Sequence, residues 1–245
     1  MRVIRLDIAY DGTGFSGWQR QPEGRRTVQG VLEETLARVL QGPVTLHGAG
    51  RTDAGVHALG QVASFTTERA LPAERLFLAL RTMLPRDLSV TSVVDAPWDF
   101  HARFSAKGKI YRYLLTDGRV RSPFLTRYAW EYPRSLDTDL MREGASHLVG
   151  THDFTSFAAS TADLRSAVRT IRRIDLFRRG ERIHLLIEGD GFLHHMCRNI
   201  VGTLTSVGRS RIPAGRIADI LAARDRGRAG ATAPPQGLCL AKVHY

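Results

Sequence analysis

The stretch GAGRTDAGVHALGQVASF, residues 48–65, concentrates side chains that can do chemistry. Gly48, Gly50, Gly55 and Gly60 break any helix and let other backbone approach closely. Among them, Arg51 lies two residues before Asp53, so a cation and a carboxylate share one short loop. A loop of this kind on a rigid scaffold can present its Asp as a nucleophile or base. The same spacing also suits a plain turn with a solvated Asp, and pattern alone leaves both readings open. No Gly-Lys-Ser/Thr follows, so this is not a phosphate loop. FLHHMCR at 192–198 holds metal-capable types in His194, His195 and Cys197. Neighbouring histidines on a helix diverge and no second ligand pair accompanies them, so no metal is assigned.

The elements that must position these residues form a rough internal repeat. RLDIAYDG (5–12) and IYRYLLTDG (110–118) are both strand-like runs ending in an Asp-Gly turn signal. Each precedes an amphipathic helical pattern. In 27–42, Val28, Val31, Leu32, Leu36, Val39 and Leu40 recur at helical spacing, with Thr27 as cap and Gly42 as stop. In 136–149 the apolar positions are Leu140, Met141, Ala145, Leu148 and Val149. Strand-like material follows in both halves: VTLHGAG and QVASFTT in the first, TIRRIDLFRRG and RIHLLIEGD in the second. Helices are predicted at 73–84 and 192–208, closing strands at 88–96 and 238–245, and a short extra helix at 214–223 after Pro213. Both halves thus read β-α-β-β-α-β, the ferredoxin-like order that RNA-recognition folds share. The expectation is an α+β protein. Two such halves, 1–103 and 104–245, would join into one extended, mainly antiparallel sheet, with helices on one face and a central cleft.

Charge is unevenly shared between those halves. Of 245 residues, 35 are Lys or Arg and 24 Asp or Glu, a net charge of +11. Residues 1–103 carry 12 basic and 11 acidic groups, whereas 104–245 carry 23 and 13. Concentrated positive charge points to a polyanionic partner. Nearly all of it is Arg, whose planar fork suits phosphate and stacks on bases. Arg165, Arg169, Arg172, Arg173, Arg178, Arg179 and Arg182 crowd one 18-residue stretch. This reads as an RNA-backbone track or as a solvated strand face, with Lys107, Lys109 and Arg112 extending it towards Tyr111. His47 and His57 flank the Asp loop as structural or RNA-contacting residues. Small residues in 158–169 suggest a loop able to close over RNA. No run of about 18 apolar residues exists, so no membrane span is expected. With two cysteines and no apolar leader, a cytoplasmic location is the simplest reading.

Seven segments carry a more specific signal. GRTDAGVHALGQVASF resembles the signature of the bacterial tRNA pseudouridine synthase A family. In the same order, AYDGTGFSGWQRQP (9–22), TVQGVLE (27–33), FHARFSAKGKIYRYLL (100–115), GTHDFTSF (150–157), GDGFLHHMCRNIVGTL (189–204) and APPQGLCLAKVHY (233–245) are similar to it. Cys197 is a departure, since a small aliphatic residue is more usual there. The resemblance implies the pseudouridine synthase fold, an isomerase acting on uridines 38, 39 and 40 of the tRNA anticodon arm, no metal or cofactor, and a homodimer. It implies that Asp53 is the catalytic aspartate. Arg198 is its basic partner, favouring the ionised carboxylate. Tyr111 is the active-site tyrosine, able to stack on the target uracil. Strand period places Tyr113 on the same face, so spacing alone does not select Tyr111. Arg51 is the expected wedge that fills the space of an extruded base, with a salt bridge to a neighbouring carboxylate as the alternative. A non-catalytic RNA-binding module and a different RNA-modifying isomerase are the competing functions. The first has no need for Asp53, Tyr111 and Arg198 together, and only product analysis separates the second.

Overall fold

The computed structural model describes residues 1–22, 24–118, 120–160 and 166–245. Strands β1 (Arg2–Tyr10), β2 (His47–Gly48), β3 (His57–Thr67) and β4 (Leu88–Ala96) alternate with helices α1 (Val28–Leu40) and α2 (Ala73–Met83). The chain continues through β5 (Gly108–Thr116), β6 (Trp130–Glu131), α3 (Thr138–Ser146), β7 (Gly150–Asp153), β8 (Val168–Arg179) and β9 (Arg182–Gly189). It closes with α4 (Met196–Gly208), α5 (Arg216–Ala223) and β10 (Leu238–His244). Two compact units result: Met1–Lys107 with Cys239–Tyr245, and Gly108–Leu238.

In the first unit β1 is flanked by β4 and β3, both antiparallel, and β2 lies against β3. That is the ferredoxin order read from the sequence. β10 runs parallel to β3, with Cys239 opposite His57 and Leu240 opposite Ala58, a pairing the local pattern did not give. One face of β1 buries Ile4, Leu6, Ile8 and Tyr10. Helix α1 adds Val28, Leu32, Leu36 and Leu40, and α2 adds Leu76 and Leu80. Thr27 caps α1 by accepting from the Gly30 amide (3.2 Å). The helix ends at Gln41, in the left-handed region at φ 51°, so Gln41 and not Gly42 makes the stop. The predicted strand over 44–50 shrinks to two residues because the Asp loop begins at Ala49.

The second unit orders its strands β5-β9-β8-β7, all antiparallel, with β6 parallel to β5. Ile183, Leu185 and Ile187 of β9 face the core with Tyr111, Tyr113 and Leu115 of β5. A register shift between Ile171 and Arg173 marks a bulge that leaves Arg172 and Arg173 both exposed. Helix α4 begins at Met196, four residues later than the apolar pattern suggested. His195 precedes it at φ 60°, a conformation that cannot continue a helix backwards. His194 and His195 are therefore not helical, and their rings lie 4.0 Å apart instead of diverging. No helix among the described residues is long and apolar enough to cross a membrane.

Candidate active site

Asp53 lies on the first unit, half-buried, in the loop between β2 and β3. The Val56 amide donates to the Asp53 carbonyl (3.1 Å), closing a four-residue turn. Gly55 is its third residue at φ 78°, the conformation that type II turns demand and that favours glycine. The 12–18 segment clamps this turn from outside. The Trp18 amide donates to the Thr52 carbonyl (3.0 Å). Gly17 sits at φ 92°, and a Cβ there would lie 2.8 Å from the same carbonyl oxygen. Two of the sequence segments thus form one structure, and each explains the glycines of the other.

Side chains complete the clamp. Thr52 is buried, and its Oγ1 shares a 2.7 Å hydrogen bond with the Tyr10 hydroxyl. Burial pushes the Tyr10 hydroxyl well above the usual tyrosine range, against side-chain hydrogen bonds from Thr52 and Gln61 that pull the other way. Gln61, fully buried, donates from Nε2 to the Gly50 carbonyl (2.9 Å) and accepts the Val62 amide (3.1 Å). The Gly12 amide donates to His57 Nδ1 (3.0 Å), so His57 has a structural role. Arg51, the expected wedge, is exposed beside this rigid frame.

A buried polar network supports the loop from behind. Glu33 Oε1 accepts from Gln29 Nε2 (2.9 Å) and from the Leu46 amide (3.0 Å). Gln29 Nε2 also donates to the Leu46 carbonyl (3.1 Å), while its Oε1 accepts from Gln19 and the Arg20 amide. Sequence reasoning missed Gln29, Glu33 and Gln61, because a polar residue in an amphipathic pattern reads as solvent-facing. The signal for Gln29 and Glu33 was their spacing of four within TVQGVLE, which puts both on one face of the helix.

In the second unit Tyr111 is buried, and its ring meets Phe192 edge-on at 5.1 Å. Tyr113 shares its face as period two requires, but its hydroxyl donates to the Pro234 carbonyl (2.7 Å), which marks it as structural. Arg198 is half-buried in the first turn of α4. Its Nε donates to the Ala233 carbonyl (2.8 Å), and its own carbonyl accepts the Ala233 amide (3.1 Å). Next to it Asn199, fully buried, donates to the Phe157 carbonyl and accepts from Arg226 and Thr232. The guanidinium thus projects from a fixed helix end.

The basic series divides on inspection. Arg178 is not on the surface track: it makes a bidentate pair with Asp117 (2.7 and 2.8 Å) and donates to the Leu136 carbonyl. Burial would raise the Asp117 carboxyl, but Arg178 and the Leu136 amide hold it below the usual range. Arg173 bridges Asp175 (3.2 Å) and Glu188 (3.7 Å). Arg169 donates to the Ser166 and Val168 carbonyls. Arg172 is exposed over Gly108, where a Cβ would overlap its guanidinium. Lys107 is exposed, whereas Lys109 and Arg112 are half-buried on opposite faces of β5. Arg165 lies outside the described residues, as does 161–165 of the loop expected to close over RNA.

A glycine-framed loop holding one carboxylate on a ferredoxin-ordered sheet can present that group for acid, base or nucleophilic chemistry. The family model described as tRNA pseudouridine synthase matches residues 8–105 and 145–245, and the chain belongs to that family. Its relatives include proteins named tRNA pseudouridine synthase A. One from Geobacter sp. strain M21 is 46% identical over all of this chain and 99% of its own. Another from Myxococcus xanthus is 44% identical over all of this chain and 92% of its own. A third from Moorella thermoacetica is 44% identical over the whole of both chains.

Proposed function

We propose that this protein isomerises uridine to pseudouridine at positions 38, 39 and 40 of the tRNA anticodon arm, with Asp53 as the catalytic carboxylate. The full-length likeness to relatives of that name supports the reading. The observation that carries it is the restraint on the Asp53 turn by Thr52, Gly17, Tyr10 and Gln61, since a merely solvated Asp needs no such frame.

In the reaction the N1–C1′ bond breaks, the uracil turns, and C5 bonds to C1′. The proton leaving C5 is balanced by one gained at N1, so no further reactant enters. Asp53 serves by attacking C6 or C1′, or by taking the C2′ proton. The target must first leave its stack, at a cost of a few kcal/mol, and Arg51 fills the space and meets phosphate. Tyr111 stacks on the uracil, and Arg198 stabilises the ionised carboxylate. Arg169, Arg172 and Arg173, with Lys107 and Lys109, line the RNA backbone. The working enzyme is a cytoplasmic homodimer.

The test is pseudouridine formation in unmodified tRNA carrying uridines at 38–40, with chelator present. Wild type should form product, whereas Asp53→Asn and Asp53→Ala should form none while keeping wild-type tRNA affinity and melting temperature. Turnover by either variant, or loss of folding in both, refutes the assignment.

A further inference from the structure

A second feature of the first unit lies outside the Asp53 frame. Three rings sit in tilted contact in a row: His47 against His101 at 4.9 Å, and His101 against Phe104 at 4.4 Å, with interplanar angles of 34° and 33°. Phe104 ends the row and is 78% exposed. Arg103 flanks it, its guanidinium carbon 5.8 Å from the ring centroid.

A single exposed phenylalanine needs no explanation. This one is held in place by a dense set of contacts. The Arg103 amide donates to His101 Nδ1 (3.1 Å), so that nitrogen is unprotonated and the ring is the neutral Nε2–H tautomer. Burial and the charge of His47 both lower the His101 pKa, which agrees with a neutral ring at pH 7. The Ala102 amide donates to Ser64 Oγ (3.0 Å), and the Ala102 carbonyl accepts from the Tyr245 hydroxyl (2.7 Å). The Ser105 amide donates to the His101 carbonyl (2.9 Å), and Ser105 Oγ accepts the His101 amide (3.1 Å). A loop this restrained holds the exposed Phe104 ring in place, with the Arg103 guanidinium over it, so little backbone ordering is left to be done on binding.

We propose that His47, His101 and Phe104 form a platform on which an unpaired nucleobase of the substrate RNA stacks, with Arg103 beside its phosphate. Base stacking on aromatic rings is sequence-tolerant, and an adjacent cation favours a phosphodiester chain over a neutral apolar partner. His47 precedes Asp53 by six residues, so its Cα lies within about 22 Å of that of Asp53 along the chain, and the Phe104 ring lies two ring contacts further on. The occupant proposed is an unpaired base of the anticodon loop, so the proposal rests on the tRNA reading and adds a contact to it.

The experiment compares wild type with Phe104→Ala, Phe104→Leu and Phe104→Trp on an unmodified anticodon stem-loop RNA. Phe104→Ala should raise KM about 5- to 100-fold, in line with the loss of one stacked base. It should leave kcat, melting temperature and the slope of log affinity against log salt unchanged. Phe104→Trp should restore KM and show fluorescence quenching by RNA beyond that of wild type. Phe104→Leu should not restore KM. An unchanged KM in Phe104→Ala, full rescue by Phe104→Leu, or no excess quenching in Phe104→Trp overturns the platform. Failure of wild type to make pseudouridine overturns the functional reading instead. In that case the quenching of Phe104→Trp still decides whether RNA stacks at this ring.

Discussion

The Tyr10–Thr52 hydrogen bond offers a quantitative test of how the Asp53 turn is held. The bond is 2.7 Å long and joins two buried side chains, one of them next to Asp53. Tyr10→Phe keeps the ring and removes the hydroxyl, orphaning the Thr52 oxygen. Thr52→Val removes the other partner and leaves the Tyr10 hydroxyl only its interaction with Gln61. A buried polar group stripped of its partner costs about 1–3 kcal/mol, so each single variant should lose that much stability. The double variant orphans neither side of the bond. Its loss should fall short of the sum of the singles by about 1–2 kcal/mol. Urea unfolding followed by fluorescence reads this directly, because the Trp18 ring lies 6.3 Å from Tyr10. Additivity within about 0.5 kcal/mol, or singles indistinguishable from wild type, refutes the argument. The same hydroxyl sets an alkaline limit. Its pKa is raised by folding, so its contribution is fully present below about pH 10 and is lost as pH rises further. Tyr10→Phe should abolish that part of the alkaline loss.

Arg178→Met should destabilise the second unit by about 1–2 kcal/mol, since the buried Asp117 carboxylate loses its partner while Arg178 itself is exposed and Asp117 keeps the Leu136 amide. Because the Asp117 pKa is lowered by folding, the pair's contribution is present above about pH 4 and lost as pH falls below it. Acid unfolding should therefore begin at higher pH in the variant, and an unchanged acid midpoint counts against the pairing. Arg172→Ala should reduce the salt slope of tRNA affinity by about 0.7–0.9, one phosphate contact, with no change in melting temperature. Equal slopes in titrations from low to high salt would remove Arg172 from the RNA contact set.

Local signals were legible where one physical cause acted alone. Helix α1 was found because Thr27 caps it and its apolar residues keep a single face. The closing strand expected at 88–96 is β4, with the same bounds. The start of α4 was misplaced because Phe192 and Leu193 continue the apolar stripe, while the left-handed His195 that breaks the helix carries no compositional mark. The pairing of β10 with β3 depends on contacts remote in sequence, which no window can contain. At the site, the Asp53 loop was visible through its glycines. The Gln29–Glu33 network was not, because burial of a polar side chain is decided by tertiary packing. The pairing of Arg178 with Asp117 was not readable for the same reason: a strand arginine is visible in the sequence, but its carboxylate partner 61 residues away is not.

The register of β10 also bears on how the protein comes into being. Leu240 pairs with Ala58 across roughly 180 intervening residues, and the entire second unit is strung between the two parts of the first. A vectorially synthesised chain therefore exposes β3, with the Asp53 turn at its head, long before the strand that pairs with it has been made. Contacts of such high sequence separation form late and slowly. The second unit, continuous in sequence, is free to fold while the first waits. Completion of the sheet that carries Asp53 is thus tied to prior synthesis of the whole second unit.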